Sequence, residues 1–180
     1  MIETERLLLT WPTSSQIDQY YDDIIGTNMF DTICWDGPVG PNDMHETWER
    51  RKTHDPNEIK LALGLAVIEK KTNQFVGGVS LRPVNNDPAI ADIGYAFAPK
   101  FQGQGFATEA IKALIDEAFA KRKSERIFAT IFVGNKASRN VVEKVGFILE
   151  GTIRRAVLKR GQWLDAWILA ITRPDWEQDS

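Results

Sequence analysis

The chain has one cysteine, Cys34, among its 180 residues. No disulfide can close within it, and no cysteine-built zinc site can form. A lone cysteine of this kind is expected to be a small buried hydrophobe. Histidine is almost as scarce: His45 and His54 lie in a polar stretch, at no recognised ligand spacing, and read as surface residues. No metal is therefore expected. No apolar run approaches the roughly 18 residues of a membrane span. The opening Met-Ile-Glu-Thr-Glu-Arg lacks the basic-then-apolar order of a secretory leader. An excess of basic residues is missing too: 22 Lys and Arg stand against 25 Asp and Glu, for a net charge of −3. That balance argues against a general nucleic-acid binder. The densest basic run, Lys121 to Arg126, reads as a solvated helix C-terminus favoured by the helix dipole. Internal repeats, linkers and low-complexity segments are also absent. The expectation is a soluble cytoplasmic protein with no membrane and no nucleic-acid partner.

What is present is an ordinary globular composition, 43% hydrophobic and 26% charged, at a length that suits one domain over residues 1–180. Arg6 to Trp11 reads as a first strand, stopped by Pro12. Thr13, Ser14 or Ser15 would cap a helix whose buried face is Ile17, Tyr20, Tyr21, Ile24 and Ile25, with Gly26 at its end. Residues 27–41 form a long loop rich in aromatic and apolar groups, among them Met29, Phe30, Ile33 and Trp35. Loops of that kind either carry function or pack on the core. Asn42 or Asp43 would cap a second helix from Met44 to about Thr53, which Pro56 forbids from extending. Leu61 to Glu69 is a continuous apolar run, expected as a strand buried on both faces. Lys70 to Asn73 turns the chain into a strand from Phe75 to Leu81, where Gly77-Gly78 suggests a bulge or a close backbone approach. After a turn at Asn85 to Pro88 comes a strand from Ala89 to Ala98.

Next is the stretch on which the functional reading turns, Gln102-Gly-Gln-Gly-Phe-Ala107. Pro99 closes the strand before it, and an amphipathic helix over 105–121 follows. Glycines where a strand becomes a helix leave the first helical N–H groups accessible, and the dipole adds partial positive charge there. The physical reading is a phosphate cradle. It is not a P-loop, because Phe106-Ala107 stands where Lys-Ser/Thr is required. It is not a dinucleotide fingerprint, because Thr108 occupies the third glycine position and three antiparallel-looking strands precede it. Beyond the helix, Arg126 to Val133 is a strand and Gly134-Asn135 opens a shorter helix, Ala137 to Lys144, ended by Gly146. A strand from Phe147 to about Val157, a turn at Lys159 to Gln162 and a last strand from Trp163 to Thr172 complete the order, with Pro174 and a polar tail behind. Short connections favour antiparallel pairs and helical crossovers favour parallel ones, so the class is α/β to α+β with a mixed sheet.

The glycine loop is joined, about thirty residues on, by Asn135-Lys-Ala-Ser138 and Glu143-Lys-Val-Gly-Phe147. Together, at this spacing, the two clusters resemble the GNAT-type N-acetyltransferases. Thr4-Glu-Arg-Leu-Leu-Leu9, Ile93-Gly-Tyr95 and Glu150-Gly151 further resemble the Rim-type branch, the ribosomal-protein N-terminal acetyltransferases. The resemblance covers roughly residues 3–172, which it implies to be the core of a single acetyltransferase domain. It implies a GNAT-like mixed, mostly antiparallel sheet of about seven strands, with four main helices and a splayed central strand pair.

It also implies acetyl-CoA as cosubstrate. The backbone N–H groups of Gln102, Gly103, Gln104, Gly105, Phe106 and Ala107 would hold its pyrophosphate, with Thr108 adding a hydroxyl. Tyr95, Ala96 and Phe97 would pair with the pantetheine amides as with another strand. Asn135 and Ser138 would lie beside the cofactor arm and the thioester. Many family members carry a tyrosine four residues after the serine, as the acid for the leaving thiolate; here that position is Val142. Some Rim-type enzymes place a glutamate where this chain has Val157. Ser138 is then the best remaining group for the sulfur, unless it only bonds its own helix backbone. Asp92 is the first candidate for the base that relieves the amine of its proton, and otherwise forms a salt bridge in the sheet. Asp165 is the second candidate.

The acceptor is expected to be a protein N-terminus or a small amine. Glu3, Asp31, Asp36 and loop 27–41 would shape an acidic, aromatic pocket, with Trp35, Trp163 and Trp167 as candidate walls. On the last strand, Trp163, Asp165 and Trp167 share one face and Leu164, Ala166 and Ile168 the other. The expected partners are thus acetyl-CoA and an amine acceptor, with homodimer formation left open. A non-catalytic acyl-CoA-binding module is the alternative to an enzyme, and a nucleotide-binding module is a third reading without support from the flanking motifs.

Overall fold

A computed structural model describes residues 1–52 and 62–178. The expectations that fall on Thr53, His54, Pro56 and Leu61 lie outside the described residues. The elements are β1 (Ile2–Glu3), β2 (Leu7–Thr10), α1 (Ser14–Ile24), α2 (Pro41–Lys52), β3 (Leu63–Glu69), β4 (Phe75–Val84), β5 (Asp87–Phe97), α3 (Phe106–Lys121), β6 (Arg126–Phe132), α4 (Lys136–Glu143), β7 (Ile148–Lys159), β8 (Gln162–Thr172) and α5 (Arg173–Gln178). The strands form an eight-stranded sheet in the order β1-β2-β3-β4-β5-β6-β8-β7. Every neighbouring pair is antiparallel except β5 and β6, which the α3 crossover makes parallel.

Local chemistry explains most boundaries. Thr13 caps α1 reciprocally with Gln16, each side chain meeting the other's backbone N–H, and the buried face of α1 is Ile17, Tyr20 and Ile24. β3 is buried along almost its whole length, as its unbroken apolar run requires. α3 buries Phe106, Ala110, Ile111, Leu114, Ile115, Ala118 and Phe119, one stripe of a 3.6-residue period.

Several expectations are corrected. β1 is only two residues long, too short to show a period, and exists because Ile2 and Glu3 pair with Leu9 and Leu8. α2 begins at Pro41, ahead of Asn42 and Asp43, because proline lacks only an N–H that the first helical turn leaves unpaired anyway. Pro174 likewise opens α5 rather than ending the structured chain; Asp175 accepts from the Thr172 N–H (2.9 Å) and hydroxyl (2.6 Å) to start it. The basic run after α3 is not uniformly solvated, since Arg122 and Ser124 are buried where the chain folds back into β6. Ser124 Oγ donates to Pro88 O (3.1 Å), and Arg173 donates to Phe119 O (3.0 Å) and Ser124 O (2.7 Å) at the helix end.

The bulge expected near Gly77-Gly78 lies one residue earlier. Val67 pairs with Gly77 and Ile68 with Phe75, so Val76 is the extra residue. The insertion turns Phe75 to the face where its ring stacks on Tyr20 of α1 (4.1 Å) and meets Trp48 of α2 edge-on (5.3 Å). The expected close approach is at Gly77: a Cβ there would stand 2.4 Å from the Phe97 ring. Gly78 opens toward Trp48 and pairs with Ala96, whereas Tyr95, of opposite parity, reaches α4. Helices α1 and α2 therefore cover one face of the sheet and α4, with its neighbour α3, the other.

β5 and β6 stay in register for only three pairs, Ile90 with Arg126, Ala91 with Ile127 and Asp92 with Phe128. Beyond Asp92 the strands diverge. Ile93 to Phe97 stay paired to β4, and Ala129 to Phe132 to β8, but not to each other. This is the splayed central pair, and it sets where the site lies.

Candidate active site

The glycine loop sits at the wide end of the splay. Gly103 (φ 75°) and Gly105 (φ 82°) adopt left-handed backbone, which side chains disfavour. Gly105 is the N-cap of α3 and supplies no capping side chain. Among the described residues, the backbone N–H groups of Gly103 to Thr108 donate to no protein acceptor. Glutamine side chains brace the loop without occupying it: Gln102 Nε2 donates to Phe97 O and Gln104 Nε2 to Lys100 O, both at 3.0 Å. The result is a row of free donors at the positive end of a sixteen-residue helix.

Arg6, which the sequence reading did not single out, fastens this loop. Its Nη1 donates to Gln104 O (2.9 Å), and its guanidinium lies over the Phe106 ring (4.8 Å). Its Nε donates to Glu109 Oε2 (2.6 Å), while Glu109 Oε1 accepts from the Arg6 N–H (2.9 Å) and the Thr4 hydroxyl (2.6 Å). Burial pushes the Glu109 carboxyl up, but the Thr4 hydroxyl and the Arg6 backbone and guanidinium outweigh it and hold it below its ordinary value. The available signal was the Thr4-x-Arg6 pair, whose partner lies 103 residues on in Glu109.

A cavity of about 380 Å³ opens where β5 and β6 part. β4 and β5 line it with Ser80, Arg82, Asp92 and Gly94, β6 with Ala129 to Phe132, and α2 with Trp48 and Arg51. Residues 32–35 and Ser138 complete it. Tyr95 and Ala96 border both this space and the unpaired edge of β5.

Ser138 is in the first turn of α4, capped by Asn135, whose Oδ1 accepts from the Ser138 N–H (3.1 Å). Asn135 Nδ2 also donates to Thr32 O (3.2 Å), tying the helix to loop 27–41. The Ser138 hydroxyl does not turn back on its own helix. It lies 2.6 Å from the Tyr95 phenol oxygen, and that phenol donates to Ser138 O (3.0 Å). Burial pushes the Tyr95 phenol up to about 12, against the opposing effect of the Ser138 hydrogen bond. Val142 is fully buried in the core. A phenol thus reaches Ser138 from the sheet, not from the next turn of α4. The period-two parity that puts Tyr95 on the α4 face with Ile93 and Phe97 was the signal for it.

Asp92 faces the cavity at the closed end of the splay, 2.5 Å from Arg82 Nη2. Burial pushes its carboxyl up and outweighs the lowering by Arg82. Asp165 stands elsewhere: exposed and outside the cavity lining, it accepts the Arg155 N–H (2.8 Å), where β7 bulges opposite β8 and Arg155 takes φ 51°. That bond gives it a backbone-holding task.

The expected acidic pocket does not form. Glu3 pairs with Lys70 (2.9 Å), Asp31 with Arg160 (2.7 Å) and Asp36 with Lys159 (2.5 Å), all outside the cavity. Lysine and arginine on the β7–β8 turn draw the two loop aspartates away, and the buried Lys159 also donates to Trp35 O (3.1 Å). Trp35 lines the cavity, but Trp163 and Trp167 lie beneath Arg155 and Arg139 instead. Cys34 is exposed on the same loop, not buried, because Met29 and Phe30 carry the loop into the core while residues 32–35 border the cavity. His45 bonds Asp18 (2.7 Å) at the surface as expected.

Residues 6–148 match the family described as acetyltransferase (GNAT) domain. The chain belongs to this family. It is 38% identical over 107 residues to YjcK of Bacillus subtilis (strain 168), covering 59% of each chain. It is 36% identical over 84 residues to the [ribosomal protein uS5]-alanine N-acetyltransferase of Escherichia coli (strain K12), covering 47% of this chain and 43% of that one. The match thus spans about half the length of these relatives. Among solved structures, the microcin C7 self-immunity acetyltransferase MccE, in complex with acetyl-CoA and AMP, superposes with a TM-score of 0.80 at 26% identity, over 94% of this chain and 93% of that one. Among the described residues, no helix is long and apolar enough to cross a membrane.

Proposed function

We propose that this protein transfers the acetyl group of acetyl-CoA to a primary amine, of a protein N-terminus or a small molecule, by direct attack on the thioester. One observation carries the reading: the splay runs without interruption from Asp92, past the unpaired edge of β5, to the unpartnered N–H groups of Gly103 to Thr108. Free donors at the open end suit a pyrophosphate, the strand edge suits the pantetheine amides, and the cavity at the closed end suits the reacting groups. Residues 1–180 would act as one acetyltransferase domain, with the cytoplasm as its place of action.

Acetyl-CoA supplies an activated acyl group, and the chain's work is to place the amine in line, take its proton and hold charge on oxygen and sulfur. Asp92 is the proton acceptor of this scheme, since a carboxyl moved up from its ordinary range is a better base than a solvated one. Ser138 donates toward the sulfur. Tyr95 is poorly suited to give up its proton outright: a phenol at about 12 lies ~3.5 units above an ordinary thiol, an uphill step of about 5 kcal/mol. Its part is to hold Ser138, giving its one proton to the Ser138 hydroxyl oxygen so that the serine proton is free for the sulfur. Val142 does not return the chain to a silent binding module, because the hydroxyl pair reaches the splay without it.

Incubation with acetyl-CoA and a panel of amines, with thiol release as the readout, tests this. Release that depends on an amine is the expected result. Tight acetyl-CoA binding without release for any amine would leave the acyl-CoA-binding module as the function.

A further inference from the structure

The acceptor side of the cavity carries two guanidinium groups laid over glycine. Gly64, Ser80 and Gly94 stand directly opposite one another on β3, β4 and β5, a single row across the sheet. A Cβ on Gly64 would press on Arg51 at Cδ and Nε (3.3 Å each). A Cβ on Gly94 would press on the Ser80 hydroxyl (2.9 Å) and come into ordinary contact with Arg82 Nη2 (3.5 Å). Gly64 therefore makes room for Arg51 and Gly94 for the Ser80 hydroxyl, with Arg82 lying at contact distance beside it.

The charges do not cancel. Asp92 is the one carboxylate lining the cavity among the described residues, and it engages Arg82 through Nη2 alone. A guanidinium has five N–H donors, so most of those on Arg82 stay free. Arg51 has no hydrogen bond or ion pair among the described residues; it is half-buried, its Cζ over the Trp48 ring (4.5 Å). Burial holds it below its ordinary basicity, and the nearby charge of Arg82 adds to that. Two like charges lining one cavity are costly unless an anion comes between them.

Building on the acetyl-transfer reading, we infer that the acceptor is a primary amine with a carboxylate close to its nitrogen, the carboxylate being bound between Arg51 and Arg82 above Ser80. Planar guanidinium donors match a carboxylate's two oxygens. Asp92, beside Arg82, faces the ammonium end of the same molecule. A polyamine, cationic throughout, would meet two arginines and is disfavoured. The carboxylate belongs either to a free amino acid or to an acidic first residue of a peptide.

The test is a thiol-release assay at saturating acetyl-CoA with matched acceptors: free aspartate and its diamide, a peptide starting with Asp and one starting with Asn, and spermidine. The expected result is a kcat/KM at least tenfold higher for the acid than for its amide in one of the two pairs, which also identifies the source. Arg51→Gln should collapse that acid-to-amide ratio toward one, and Arg51→Lys should restore part of it. Equal use of acid and amide in both pairs, or preference for spermidine, overturns the inference while leaving acetyl transfer standing. If no amine releases thiol, calorimetric titration of the same acceptors decides: binding of the acid over the amide that Arg51→Gln removes sustains the subsite without the reaction, and equal binding overturns it.

Discussion

The Tyr95 phenol and the Ser138 hydroxyl stand 2.6 Å apart, one from β5 and one from α4, on opposite sides of the splay. The phenol proton is within reach of both Ser138 O (3.0 Å) and Ser138 Oγ, and when it is given to Oγ the serine proton is left free to turn toward a ligand. Tyr95→Phe should lower kcat by about tenfold to a hundredfold with little change in CoA affinity, less than the roughly 10²–10³-fold for loss of a donor that meets the reacting atoms directly, because Tyr95 acts through Ser138. Ser138→Ala should lower kcat at least as much. The double variant should be no worse than Ser138→Ala alone, because residues acting as a unit are not additive. Steady-state kinetics and CoA titration of the three variants check this; additive losses would separate the two groups.

The cradle makes a second prediction. Gly105→Glu puts a side chain on a backbone at φ 82°, strained by about 1–2 kcal/mol, and adds negative charge beside the free N–H groups. CoA affinity should fall by a hundredfold or more in protein that is still folded by circular dichroism. Gly105→Ala keeps the strain without the charge, and its Cβ meets only the end of the Arg6 side chain, Nη2 at 3.2 Å, so its loss should be much smaller. Similar losses in both variants would assign the effect to strain alone.

Asp92 predicts a pH profile. A base works when deprotonated, so activity is lost as pH falls through its pKa, which burial has raised above the ordinary 3.8. The acceptor's α-ammonium titrates at about 7.7–8. The logarithm of kcat/KM should therefore fall with slope one below the amine's pKa and with slope two below that of Asp92. In Asp92→Asn the second break should vanish and kcat should drop by about 10²–10⁴-fold. A second break that persists in Asp92→Asn would assign the base elsewhere.

Glu109 predicts acid sensitivity of the fold. Its folded pKa is depressed below the ordinary 4.5, so its contribution to stability is complete above that value and is lost as pH falls through the lower folded one. Thermal midpoints recorded from pH 6 down to pH 3 should fall less steeply for Glu109→Gln, which starts lower because it loses the Arg6 pairing.

Most of the architecture was written in local pattern. The apolar run of β3, the Thr13 cap and the stripe of α3 each place an element without reference to anything distant. The glycine loop was legible for the same reason, since its chemistry lies in backbone that no side chain hides. What escaped depends on long-range partners. Asp31 and Asp36 look like pocket acids until the β7–β8 turn brings Arg160 and Lys159 to them. Asp165 looks like a base until the Arg155 bulge uses it. The two arginines of the cavity carried no local signal, because Arg51 lies near the end of a helix and Arg82 near the end of a strand that meet only through the sheet. Pro174 misled in the other direction, since a proline that ends one element can begin the next.

Three residue pairs join the two halves of the sheet across β5 and β6. Mechanically the protein is two stiff plates on a short seam, with α3 as the strap between them. A ligand laid along the open edge acts as a splice that lengthens the seam. Binding and cohesion then become one quantity: at a ligand concentration a hundred times its dissociation constant, the folded state gains about 2.7 kcal/mol. In a cell, the supply of the acyl donor would set how firmly the two plates are held.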